Sequence, residues 1–135
     1  MKTTTLGKSP LKVSRLCLGT MMFGDQTPLE DARRIVADAQ EKGCNFIDTA
    51  DIYSLGKSED MVGQVLQGHR HRWVLASKVG NPMSDQLNCQ GYSRSWMMRA
   101  CEDSLRRLGT DHLDIYYLHR DYNGMDLEEP LRAIE

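Results

Sequence analysis

Asn45-Phe46-Ile47-Asp48-Thr49-Ala50-Asp51-Ile52-Tyr53 begins as a short apolar strand and ends in two ionisable groups, Asp48 and Tyr53, five positions apart. Phe46 and Ile47 read as a buried strand leaving a tight turn at Gly43. Thr49 and Ala50 are small and let another molecule come close. A carboxylate at a strand end, with a phenol in the loop after it, is how α/β enzymes place chemistry. The stretch also has an ordinary reading: Asp and Tyr end strands because they suit turns and half-buried edges. The ends of the neighbouring strands separate the two.

Working outward, the chain alternates. Thr3 to Leu6 and Leu11 to Val13 flank Gly7-Lys8-Ser9-Pro10, a small β-hairpin. Leu16-Cys17-Leu18-Gly19 reads as a first buried strand, with Thr20 to Gly24 as its loop. Thr27-Pro28-Leu29-Glu30 opens a helix with a capping box, and Ala32, Ile35, Val36 and Ala39 give it one apolar face, stopped by Gly43. After the opening stretch, Ser58 is the expected cap of a second helix, with Glu59 and Asp60 in its first turn and Met61, Val62, Val65 and Leu66 as its buried face. Trp73 to Lys78 is a third strand, apolar until its last two residues. A long loop, Val79 to Tyr92, leads to a helix begun at Ser93 or Ser95, with Met97, Cys101, Leu105 and Leu108 on one face and Gly109 at its end. Leu113 to His119 is a fourth strand. Asp126-Leu127-Glu128-Glu129 reads as a capping box for a fourth helix, whose first turn tolerates Pro130.

Four β-then-α units imply parallel strands with right-handed crossovers. No G-x-G-x-x-G follows the first strand, which disfavours a dinucleotide-binding Rossmann fold. The pattern fits an α/β (β/α)8 TIM barrel, which takes about 250 residues and eight units. The 135 residues hold about half of that and stop inside a helix. The expectation is therefore the N-terminal part, residues 1–135, of a single barrel domain. A half-barrel exposes strand edges and an apolar interior, so self-association is expected of the piece.

Composition narrows the class. Charged residues are 27% and apolar ones 40%, as in a soluble globular chain. A formal charge of -2 gives no argument for nucleic acid or an anionic membrane. No apolar run approaches the ~20 residues of a membrane helix, and no signal-peptide pattern opens the chain. Cys17, Cys44, Cys89 and Cys101 show no CxxC pairing, so they read as free thiols of a reducing compartment, with Cys17, Cys44 and Cys101 among core positions. A cytoplasmic location is expected.

In a barrel, Asp48, Tyr53, Lys78 and His119 all fall at strand ends on one face, where active sites are built. Singly, each has a plain structural reading: a turn acid, a half-buried phenol, a solvated lysine, an edge histidine. Jointly they place four ionisable groups on one rim, which favours chemistry.

Gly43-x-Asn45-x-x-Asp48-Thr49-Ala50-x-x-Tyr53, Ser77-Lys78 and Asp114-x-Tyr116-x-Leu118-His119 together resemble the aldo-keto reductases. So do Leu18-Gly19-Thr20-Met21-x-Phe23-Gly24 and Leu105-x-x-Leu108-Gly109-Thr110-Asp111-x-Leu113-Asp114. The style is closer to bacterial reductases and potassium-channel β subunits than to the mammalian steroid-converting branch. The resemblance implies a barrel closed at its bottom by the hairpin, and reversible reduction of a small-molecule carbonyl with NADPH/NADP+, NADH being the alternative. It implies Tyr53 as general acid, Lys78 as its partner, Asp48 as the partner of Lys78, and His119 as the fourth group. Gly19, Thr20 and Met21 would lie beside nicotinamide and substrate, and Asp48 would also touch the cofactor.

The physics of these roles is coherent. Hydride delivered to a carbonyl carbon leaves negative charge on oxygen, which a donor stabilises. A free phenol is a weak acid near neutrality, and a nearby ammonium strengthens it. No metal is required. The other reading is a nicotinamide-binding regulatory subunit, as in the channel β subunits. Much of the cofactor site of this family lies beyond Glu135, so the piece alone is expected to be a poor catalyst. Arg120 reads either as a contact for an anionic group or as a partner of Asp121.

Overall fold

Each strand of the parallel sheet lies beside the strand that follows it in the chain. The computed structural model describes residues 1–122 and 124–135. The sheet contains β3 (Leu18–Gly19), β4 (Phe46–Asp48), β5 (Val74–Val79) and β6 (Ile115–Leu118), in the order β3-β4-β5-β6. A doubly wound sheet reverses direction part-way, whereas a barrel proceeds in this unbroken order. Before it, β1 (Thr3–Thr5) and β2 (Lys12–Ser14) pair antiparallel. The helices α1 (Leu29–Glu41), α2 (Lys57–Leu66), α3 (Arg94–Leu108) and α4 (Glu128–Ile134) alternate with the strands. Among the described residues no helix is long and apolar enough to cross a membrane.

The core fills the layer between sheet and helices. Ile47 and Leu75 of the strands meet Ala32 and Val36 of α1 and Val62 and Leu66 of α2. A second cluster joins Val79, Tyr92, Trp96, Met97 and Ala100. Asn45 attaches the hairpin. Its Oδ1 accepts from Ser14 N at 2.6 Å and its Nδ2 donates to Lys12 O at 3.1 Å, so the hairpin sits at the N-terminal end of β4. That leaves the opposite rim open.

Several expectations about caps and faces are corrected. Pro28, not Thr27, occupies the cap position of α1, and no side chain caps it. The helix starts one residue too late for Thr27 to reach it. Ile35 is exposed because the buried stripe of α1 runs through Ala32 and Val36. Ser58 lies inside α2 after Gly56, and its hydroxyl donates to Thr20 O at 2.8 Å instead of capping. Ser93 does cap α3, accepting from Trp96 N, and Gly109 ends it with φ of 60°. On that helix Cys101 and Leu105 are only half-buried; Trp96, Ala100 and Ser104 join Met97 and Leu108 inside. At α4, Asp126 accepts from Glu128 N, but Glu129 accepts from Arg94 N. No capping box closes, and Glu129 ties α4 to the start of α3. Leu16 and Cys17 fall outside β3 and are exposed, whereas Cys44 and Cys89 are buried; all four thiols are free.

Helices α2 and α3 touch backbone to backbone at one point. A Cβ added at Gly63 would lie 2.7 Å from the carbonyl oxygens of both Arg107 and Leu108. Elsewhere in a helix Gly→Ala stabilises by up to about 1 kcal/mol. At Gly63 the sign is reversed: urea denaturation should show Gly63→Ala destabilised by roughly 1–3 kcal/mol, the cost of overpacking against backbone.

Candidate active site

Parallel strands send their C-terminal ends to one rim. Asp48 is the last residue of β4, Lys78 the penultimate residue of β5, and His119 follows β6. Backbone bonds continue past the strand ends and lock these loops together. Thr20 N donates to Asp48 O at 3.0 Å, Asp51 N to Lys78 O at 3.3 Å, and His119 N to Val79 O at 2.9 Å.

At the centre stands the Lys78 ammonium. It donates to Asp48 Oδ2 at 2.6 Å, to Thr49 O at 2.8 Å and to the Tyr53 hydroxyl at 2.9 Å. It also lies 4.6 Å from the centroid of the Tyr53 ring. The pair is largely shielded from water, with the Lys78 side chain 13% and the Asp48 side chain 24% exposed. The His119 ring meets the Tyr53 ring edge-on, centroids 5.7 Å apart. Burial pushes the His119 imidazole below its usual value, the Lys78 charge adds to this, and Asp48 opposes it. Its neutral form is therefore favoured, and its Nδ1 is buried without a partner among the described residues. All four sequence-predicted groups thus reach one place.

Tyr53 arrives there on an unusual turn. Tyr53 N donates to Ala50 O at 3.2 Å, and the next residues, Ser54 (φ 50°) and Leu55 (φ 52°), are left-handed, as is Gly56 (φ 90°). Two non-glycine residues there cost about 1–2 kcal/mol each. Gly56 has to lack a side chain as well, since a Cβ would sit 2.7 Å from Arg107 Cδ. Strain of this kind persists where surrounding structure enforces it.

Two hollows flank the tetrad. One, of about 490 Å³, is lined by Cys17, Gly19, Phe46, Asp48, Lys78, Tyr117, Leu118 and His119. A Cβ at Gly19 would meet nothing within 4 Å, so Gly19 leaves open space there. The other, of about 690 Å³, has Met21, Met22, Ile52, Tyr53, Leu55 and His119 in its wall. Of the expected contact residues, Gly19 and Met21 face these hollows. Thr20 does not: it is fully buried, and its hydroxyl donates to Asp48 O at 3.0 Å and lies 3.1 Å from Ser58 Oγ. Thr20 pins the end of β4.

Behind the rim, between sheet and helices, lies a polar layer that sequence reasoning missed. Glu59 is fully buried, its carboxylate accepting from Ser77 Oγ at 2.5 Å and Arg107 Nε at 2.7 Å. Its signal was legible: Glu59 sits three and seven positions before Val62 and Leu66, on the buried stripe of α2. Asp51 is also fully buried. Its Oδ1 accepts from Ile52 N at 2.6 Å, and its Oδ2 has no partner among the described residues. Burial pushes the Asp51 carboxyl up to about 7, Glu59 adds to this, and the Ile52 N–H, Arg107 and Lys78 pull the other way.

The loop after β5 is clasped to the loop after β6. Tyr92 Oη donates to Arg120 O at 2.6 Å and accepts from Arg120 N at 2.9 Å, while Tyr122 Oη donates to Gly80 O at 2.5 Å. The Arg120 guanidinium stacks on the Tyr122 ring at 4.9 Å, rather than pairing with Asp121.

Comparison with known proteins gives this geometry a context. Residues 15–135 match the sequence model described as the Aldo/keto reductase family. The uncharacterized oxidoreductase YrpG of Bacillus subtilis (strain 168) is 42% identical over 146 aligned residues, covering 100% of this chain and 45% of its own length. A probable voltage-gated potassium channel subunit beta of Arabidopsis thaliana is 34% identical, covering 99% of this chain and 42% of its own length. The holo form of the aldo-keto reductase AKR11C1 from Bacillus halodurans superposes with a TM-score of 0.89 at 40% identity, covering 98% of this chain and 45% of that one. The chain spans less than half the length of these relatives.

The raised Asp51 carboxyl makes a prediction about stability. Between about pH 4 and 7 the native state keeps a proton that the unfolded state releases, so this group lowers stability as pH rises through that window, and fully above it. Asp51→Asn removes the effect. In urea titrations the variant should be more stable than the parent above pH 7, by an amount on the order of a few kcal/mol at most, with the difference vanishing toward pH 4.

Proposed function

We propose, from the premise that the chain belongs to the aldo/keto reductase family, that the whole protein reduces aldehydes and ketones to alcohols with NADPH, residues 1–135 being the N-terminal part of one (β/α)8 barrel. The observation that carries this reading is the Lys78 ammonium, 2.9 Å from the Tyr53 hydroxyl and 2.6 Å from the Asp48 carboxylate.

The directions of these bonds matter. Lys78 donates to the phenol oxygen, which leaves the phenol's own hydrogen free for an incoming carbonyl oxygen. As negative charge grows on that oxygen, Tyr53 passes its proton to it, and the ammonium stabilises the phenolate left behind. Asp48 keeps the ammonium charged and aimed. Neutral His119, beside the Tyr53 ring, offers a second N–H to the same oxygen. When the product leaves, the phenolate takes a proton from water. The nicotinamide, when bound, supplies the hydride. Gly19 carries no side chain beside Lys78 at the rim, which suits a flat ring brought close to the tetrad. On the other side Met21, Met22 and Leu55 are exposed and apolar, so alkyl and aryl aldehydes suit that hollow.

A second reading is favoured by the relative named as a potassium channel subunit beta: a nicotinamide-binding regulatory subunit that senses the cofactor. The same four side chains serve either role, so turnover separates them.

The test follows NADPH absorbance at 340 nm in the whole protein with a panel of alkyl and aryl aldehydes, NADH being tried beside it. Turnover is expected, and Tyr53→Phe should lower kcat by about 10²-fold or more while cofactor binding, read by fluorescence titration, is retained. Tight cofactor binding without turnover on any aldehyde would replace the enzyme reading with the sensor.

A further inference from the structure

We propose that Asp51 is a positioning residue for the Tyr53–Lys78 pair: its buried carboxyl braces the turn that carries Tyr53 and, by holding or releasing a proton, alters the field that Lys78 projects onto the reacting oxygen. The inference rests on the catalytic reading of the tetrad.

The brace is visible in two bonds. Asp51 N donates to Lys78 O at 3.3 Å, joining the loop after β4 to the end of β5. Asp51 Oδ1 accepts from Ile52 N at 2.6 Å, inside the turn that the Tyr53 N to Ala50 O bond closes. Movement of Asp51 therefore moves both Tyr53 and Lys78.

The electrical part follows from which charges are already matched. The ionisable groups acting on Asp51 are Lys78 from β5, Glu59 from α2, Arg107 from α3, Tyr116 from β6 and Tyr92 from the loop before α3. Glu59 and Arg107 neutralise each other, and Ser77 Oγ completes the Glu59 carboxylate. Lys78 has Asp48. Burial holds the Tyr116 and Tyr92 phenols above their usual range, so both are neutral. Among the described residues, Asp51 is the one carboxylate of this group with a buried oxygen that no donor faces; the Tyr116 hydroxyl is the other buried oxygen there without a partner. Burial also lifts its carboxyl to about 7, so that it exchanges its proton where enzymes work.

With Asp51 neutral, Asp48 is the one carboxylate offsetting the Lys78 charge, and the remaining potential favours negative charge on the carbonyl oxygen. With Asp51 ionised, a second negative charge acts on Lys78 from the loop that the Asp51 N–H ties to Lys78 O, and it opposes that build-up. Proton loss from Asp51 slows reduction. Tyr53 and His119 keep their places, so the change appears in kcat rather than KM.

Asp51→Asn keeps an oxygen for the Ile52 N–H but never ionises; Asp51→Ala removes brace and charge together. Three measurements decide the matter: kcat for reduction against pH in the whole protein, the ¹⁵N signal of the Lys78 ammonium against pH, and the ¹³C signal of the Asp51 carboxyl. In the parent, kcat should fall by on the order of threefold or more between about pH 6 and 8.5, and the Lys78 signal should inflect together with the Asp51 carboxyl. In Asp51→Asn both curves should be flat through that range, with KM unchanged; in Asp51→Ala kcat should be low at every pH. Identical parent and Asp51→Asn curves, or an Asp51 carboxyl already ionised at pH 5, would overturn the proposal. If the protein shows no turnover, the catalytic reading fails by itself, and the Lys78 and Asp51 signals still decide whether the two groups are coupled.

Discussion

An ammonium carries three hydrogens, and away from water each needs an acceptor. Lys78 finds all three at once: a carboxylate on β4, a backbone carbonyl one residue later, and a phenol from the following turn. Much of the local structure serves that requirement. The parallel register sets Asp48 opposite Ala76, two residues before Lys78 on β5, close enough for the lysine side chain to reach the carboxylate. The bonds from Thr20 and Asp51 hold the loops at the height where Thr49 O and Tyr53 can be reached. A lysine left with one of these acceptors missing would be held less firmly by the two that remain.

The same layer arithmetic explains why so much polarity lies beneath the rim. Along β5 side chains alternate, so Lys78 faces the barrel interior and Ser77 faces the helices. Ser77 therefore meets Glu59 of α2, and Glu59 meets Arg107 of α3. The chain Ser77–Glu59–Arg107 links sheet to two helices by charge-assisted bonds, with the backbone of Gly56 resting against Arg107. The left-handed turn after Tyr53 is thus held from below as well as from its two ends.

Much of this was legible beforehand, because strand ends and helical stripes are periodic. The hairpin, the four strand–helix units and the convergence of Asp48, Tyr53, Lys78 and His119 follow from residue spacing once parallel pairing is assumed. At a helix start residue type competes with spacing, and the spacing that sets Glu59 on the buried stripe of α2 was the better guide. Glu59 looked like a first-turn acid in water, and Ser58 like a cap, because both residue types favour helix starts; tertiary packing turned them inward. Thr27 lost its role to Pro28, and Ile35 and Cys17 are exposed because each lies just outside the strip that packing covers. Asp51 sat in the deciding stretch itself, yet a third carboxylate or phenol there draws no attention until its burial is known.

The left-handed run Ser54–Leu55–Gly56 has a corollary for how such a protein diversifies. Its geometry fits one length of chain, with Asp48 and Tyr53 anchored at one side and Ser58 bonded to Thr20 and Thr49 at the other. Inserting or deleting a residue there would rotate the phenol away and break the hydroxyl contacts in the same event. Novelty at this rim can come from exchanging the outward side chain of Leu55, while changes of length are left to the longer connection between β5 and α3.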